Sequence, residues 1–248
     1  MASRKEQKER AREARLAAER EAAAKAARTR RITLGGGGAL ALAVAVAVVV
    51  AAASGGRGSS TSTAPTPAQA ASGAKLPPPK ITDLGAAATA AGCTTIDPPP
   101  SLALAPQNRQ HVDPSTKLKF ATNPPSYGAH YPTPASDGYY PPGHTPAVGN
   151  LVHAMEHGRV EYQYRAGLPA NELKQMQALF NEPDGQWAAG QLLLLFQNTT
   201  GMPYAVAATA WGHVLGCKTF NPRVFDALRD FRLTYTNQGP EQLGTGPE

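Results

Sequence analysis

The 248-residue chain carries 24 Lys/Arg against 18 Asp/Glu and contains 23 prolines. Its formal charge of +6 is local: residues 1–31 hold 11 basic and 5 acidic side chains, which leaves the rest neutral. A basic face for nucleic acid is thereby excluded outside the N-terminal arm, and the stretches too polar or too proline-rich to pack leave chain for one domain.

The arm itself, residues 1–31, is rich in Ala, Glu, Arg and Lys with charges three and four apart, which predicts a solvated helix with nonspecific attraction to anionic head groups. Residues 32–53 are 22 consecutive uncharged positions ending in an Ala/Val run. At about 1.5 Å per residue they just cross a hydrocarbon core of about 30 Å, so a transmembrane helix is expected, weakened by Gly35 to Gly38. Arg28, Arg30 and Arg31 precede this stretch and only Arg57 follows closely, which places the N-terminus in the cytoplasm and the remaining chain outside. The competing reading is a signal peptide cleaved near "AAASGG", for which the charged arm is longer than needed. Residues 54–80 form a Ser/Thr/Ala/Pro-rich tether. An extracytoplasmic domain is expected over 81–240 and a disordered tail over 241–248. In an oxidising exterior the two cysteines, Cys93 and Cys217, are expected to pair.

Within the domain, residues 83–115 read as a proline-rich irregular arm stapled by that disulfide. Residues 120–150 are too rich in Pro, Gly and Tyr for a regular helix or a central strand. "RVEYQY" (159–164) alternates Val160, Tyr162 and Tyr164 with Arg159, Glu161 and Gln163, the period of a strand with one wet face. "NELKQMQALF" places Leu173, Met176 and Phe180 on one helical stripe. "QLLLLF" (191–196) and "YAVAATAW" (204–211) read as strands joined by a hairpin-type turn at "NTTGMP". "NPRVFDALRDFRLTY" reads as a helix capped by Asn221 with Pro222 in its first turn. This order predicts an α+β fold: a small mixed or antiparallel sheet with helices packed on one face.

"HAMEH" carries the densest chemistry. His153 and His157 are four apart and share one helical face, with Glu156 close by. H-x-x-E-H is also the inverted zinc-protease signature, in which two imidazoles hold zinc and the glutamate activates water. Only two helical turns fit before Gly158, and no further downstream ligand stands out, so hydrolysis ranks third. The sharper reading is a zinc or copper site of His130, His153 and His157, supported by Glu156, Tyr131 and Trp211, with Met155 or Met202 as a soft ligand for copper. His111, His144 and His213 read as background histidines. The alternative is a structural or protein-interaction module in which His153 and Glu156 are buried hydrogen-bond partners pinning the proline-rich loop. Trp211 reads as a core indole over a tight turn, with His213 and the disulfide nearby. No GxGxxG, P-loop, GxSxG or CxxC occurs, so nothing points to nucleotide binding, serine hydrolysis or thiol redox catalysis.

"NPPSYGAHYP", "LVHAMEHGRVEYQY" and "ATAWGHVLGC", in this order, resemble the bacterial family known as domain of unknown function 3105. The resemblance covers roughly residues 85–240. It implies a membrane-tethered outer domain in which His130, His153, Glu156, His157 and Trp211 match recurring motif positions. The resulting expectation is a single-pass membrane protein, bound to the bilayer through 32–53, whose outer domain binds a metal or an unknown protein partner rather than catalysing a reaction.

Overall fold

The computed structural model describes residues 73–242. The expected cytoplasmic arm and membrane helix, most of the tether, and the tail beyond 242 lie outside the described residues. Among the described residues no helix is long and apolar enough to cross a membrane.

Six strands form one mixed sheet in the order β1-β6-β5-β3-β4-β2. The strands are β1 (Cys93–Ile96), β2 (Gly138–Tyr140), β3 (Val160–Tyr164), β4 (Leu193–Gln197), β5 (Val206–Ala210) and β6 (His213–Cys217). The β1/β6, β6/β5 and β5/β3 pairs are antiparallel, while β3/β4 and β4/β2 are parallel. The helices are α1 (Leu84–Ala91), α2 (Pro100–Ala103), α3 (Val148–Glu156), α4 (Ala170–Phe180) and α5 (Val224–Tyr235). The α+β expectation is met.

The main core lies on one face of the sheet. Val160, Tyr162 and Tyr164 of β3 meet Met176, Leu179 and Phe180 of α4 and Val224, Leu228 and Phe231 of α5, with the alanines of α1 alongside. Helices nevertheless cover both faces, which corrects the one-sided arrangement expected from the sequence. On the opposite face α3 packs Leu151 and Ala154 against Tyr140, Leu194 and Phe196. The supposed wet face of "VEYQY" is therefore dry, and every residue of β3 is buried.

Glu161 and Gln163 survive there by bonding to each other and to Thr209. Gln163 Nε2 donates to Thr209 Oγ1 at 2.8 Å, and Thr209 Oγ1 donates to Glu161 Oε2 at 3.0 Å. Burial pushes the Glu161 carboxyl up to about 8, although Thr209 and Gln163 favour its charged form. The folded protein thus keeps a proton that the unfolded chain loses near its ordinary value of 4.5. Between those two values stability is expected to fall as pH rises, by about 1.4 kcal/mol per pH unit. Glu161→Gln, isosteric with the protonated acid, is expected to abolish that slope, which denaturant unfolding across the interval measures.

Two connections differ from expectation. β4 and β5 are not a hairpin; they flank β3 on opposite sides, so the "NTTGMP" segment crosses the end of β3. The tight hairpin is β5–β6, where Ala210 pairs with His213 around Trp211 and Gly212. Residues 83–115 are also more regular than an irregular arm. Asp83 caps α1 by accepting from the Ala86 N–H, Gly92 ends it in the left-handed region (φ 69°), and β1 follows at once as an edge strand. Cys93 stands opposite Cys217 in the β1/β6 register, and the expected disulfide joins them across 124 residues of sequence. Contact with α5 begins earlier than residue 81: the Pro77 carbonyl accepts from Arg229, and the Lys80 N–H donates to Asp226.

Candidate metal centre

The site is built at the C-terminal end of α3. The helix stops because Gly158 adopts φ 82°, with the Gly158 N–H donating to Met155 O and the Arg159 N–H to Ala154 O, the paired closure that a left-handed glycine permits. A Cβ at Gly158 would lie 2.7 Å from Asn237 Cα. Gly158→Ala is therefore expected to cost more than the roughly 1 to 2 kcal/mol of the left-handed conformation alone, read as a lowered denaturation midpoint.

The two histidines of the motif stay in contact before this turn, with Nε2 atoms 3.1 Å apart. His153 and Glu156 project from α3 toward the loop, while His157 is the C-cap residue. Opposite them the chain at 110–112 pairs with residue 130: the His130 N–H donates to Gln110 O, and the Val112 N–H to His130 O. That parallel bridge sets His111 beside His130. One donor atom each from His111, His130, His153 and Glu156 then falls within 4.8 Å of all the others. His130, His153 and Glu156 are buried, and His111, whose side chain is 45% exposed, faces solvent.

Backbone carbonyls fix the imidazole tautomers. His130 Nδ1 lies 2.8 Å from Gly128 O, and His153 Nδ1 lies 2.7 Å from Tyr131 O. A carbonyl only accepts, so each Nδ1 carries a proton, and Nε2 is the atom that each ring turns to its neighbours: Glu156 for His130 and His157 for His153. Burial foremost, with neighbouring histidines adding to it, lowers His153 to about 4, so the ring is neutral at neutral pH. Burial opposes ionisation of Glu156, but the adjoining His130 ring and the Arg109 guanidinium outweigh it and hold the carboxyl below its usual range. His130 Nε2 and Glu156 Oε2 form a buried pair 2.9 Å apart, and His111 Nε2 lies 3.9 Å from the same oxygen. A proton or a metal ion between these two atoms satisfies both.

The family comparison bears on this region. Residues 111–245 match the family described as "Protein of unknown function (DUF3105)". The chain belongs to this family. All four donors fall inside the DUF3105 match, and His111 is its first residue. No curated protein and no solved structure matches the chain.

In this DUF3105 chain two of the three expected ligands, His130 and His153, fall in the donor cluster, and His111 and Glu156 join them. His157 is not in the quartet, although its Nε2 sits 3.1 Å from His153 Nε2. His111, read as background, takes its place. Glu156 moves from support to donor, and Arg109, which the sequence did not single out, holds its other oxygen at 3.0 Å. Tyr131 acts through its carbonyl, and its hydroxyl donates to Thr116 O. Trp211 forms one wall, edge-on to His130 with ring centroids 5.8 Å apart. Trp211 and His213 stand at the opposite end of β6 from Cys217, so neither adjoins the disulfide. His213 pairs with Asp97 and stacks on Tyr235, and His144 is an exposed loop residue. Met155 packs with Val152 and Trp211, and Met202 packs with Tyr204, both in apolar clusters.

Proposed function

We propose that the chain is a single-pass membrane protein whose extracytoplasmic domain binds a divalent transition metal, zinc before copper, through His111, His130, His153 and Glu156. The convergence of four donor atoms within 4.8 Å of one another, three of them on buried residues, carries this reading. Three imidazoles and a carboxylate suit zinc, and the placement of both methionines in apolar clusters removes the soft donors that would favour cuprous copper. Tetrahedral ligands at about 2.0–2.1 Å stand roughly 3.4 Å apart. Metal binding therefore widens the 2.9 Å His130–Glu156 pair and draws in the more distant donors, and the exposed His111 has the freedom to close on the other three.

Binding is favoured over hydrolysis because Glu156 is engaged by Arg109 and belongs to the donor set, which leaves it unsuited to be the free base of an H-x-x-E-H protease. The metal-free interaction module accounts for the hydrogen bonds that hold the loop to α3 and for the His130–Glu156 pair, but gives no role to the convergence of His111 and His153 on the same point. The uncharged stretch 32–53 and its flanking arginines support the membrane anchor, and the Cys93–Cys217 bond suits an oxidising exterior. Elemental analysis of the full chain, purified in detergent and dialysed against zinc and then against metal-free buffer, is expected to find one zinc per chain. A chain that retains none overturns the proposal.

A further inference from the structure

Beside the four donors lies a second set of charges that a metal site of this kind does not require. Arg109 divides its guanidinium between two carboxylates: Nε donates to Glu156 Oε1 at 3.0 Å, and Nη2 donates to Glu241 Oε1 at 2.9 Å. The other oxygen of Glu241 stands 3.7 Å from His157 Nε2. His157 Nε2 in turn lies against His153 Nε2. One carboxylate is thus held between a guanidinium and an imidazole, each of which also touches a residue of the donor quartet.

From this juxtaposition we infer that the space between Arg109 and His157 is a subsite for a small carboxylate ligand of the bound metal, and that Glu241 is its built-in occupant. The inference rests on the metal reading of the quartet. A planar guanidinium presents paired donors that match a carboxylate. The His157 ring, beside His153, faces the same carboxylate at 3.7 Å. The anion then sits on the guanidinium that also holds Glu156, which balances its charge.

The backbone explains how Glu241 arrives there and why it can leave. After α5 the chain folds back over the end of α3: the Asn237 N–H donates to Gly158 O at 2.7 Å, and the Glu241 N–H to Glu156 O at 3.0 Å. Gly239 lies so close that a Cβ there would collide with the Glu156 carbonyl and the Gly158 nitrogen. The strap is fixed by main-chain contacts, whereas the Glu241 side chain is 46% exposed, and an exposed ion pair is weakly held. An incoming carboxylate therefore competes with one side chain, and the strap need not lift.

The test uses the full chain in detergent, loaded with cobalt(II), and follows the visible spectrum of the metal while acetate is added at constant ionic strength, with chloride as the control. Glu241→Gln is expected to respond at acetate concentrations at least about fivefold lower than the wild type, the size of one exposed ion pair. Gly239→Ala, which displaces the strap, is expected to shift the response in the same direction. Cobalt bound by Glu241→Gln with an unchanged acetate response overturns this inference and leaves the metal reading standing, as does a response to chloride equal to that to acetate. Failure of cobalt to enter either the wild type or Glu241→Gln overturns the metal reading, and the subsite with it.

Discussion

His153→Ala is expected to lower zinc affinity by more than about 100-fold, because loss of an outer partner of a ligand already costs about 10- to 100-fold and His153 supplies a donor itself. His157→Ala is expected to cost less than about tenfold, since its ring contacts His153 Nε2 from outside the quartet. The asymmetry is the informative part. An H-x-x-E-H zinc site treats the two histidines as equals, whereas the turn at Gly158 places them in different surroundings. Competition with a chromogenic chelator gives both affinities. His111→Ala provides the control for folding: its side chain is exposed, so metal-free stability should hold while zinc affinity falls as far as in His153→Ala. Equal losses for His153 and His157, with His111 neutral, would assign the metal to the helix alone.

The second large effect concerns the disulfide. Replacing both Cys93 and Cys217 by serine is expected to destabilise the domain by roughly 4 to 5 kcal/mol in the chain-entropy picture of a loop this long. The loss should begin locally. β1 is a four-residue edge strand paired only with β6, and α1 contributes alanines to the core, each bringing little apolar area. Hydrogen exchange of the double serine variant is therefore expected to show residues 84–96 opening before the central strands β3, β4 and β5. Uniform protection across the sheet, or a denaturation midpoint equal to the wild type, would contradict that role for the bridge.

The fold was legible where local periodicity and burial agree. β4 is an unbroken apolar run because it is central, parallel to both neighbours and buried on both faces. Helices α4 and α5 show their stripes as written. β3 misled because alternation reports two different faces and cannot say whether the polar one meets water; here Glu161 and Gln163 meet α3 and Thr209. α1 and β1 were hidden among prolines, although Asp83 and Gly92 mark both ends of that helix. The β4–β5 pairing error arose because sequence adjacency suggests a hairpin, and β3 between them is a nonlocal fact.

The site divides along the same line. His153 and Glu156 stand together on one short helix, and His130 stands in a motif that resembles a family pattern, so all three were found. His111 and Arg109 reach the site only through the pairing of 110–112 with residue 130 and through a contact spanning 47 residues of sequence. No local signal distinguishes His111 from His144.

X-ray absorption at the zinc edge of the loaded full-length chain tests the central claim most directly. The account predicts a first shell of three imidazole nitrogens and one carboxylate oxygen at about 2.0–2.2 Å, with one imidazole lost in His111→Ala and none in His157→Ala. A shell that loses an imidazole in His157→Ala and none in His111→Ala, or a spectrum indistinguishable from hydrated zinc, would contradict it.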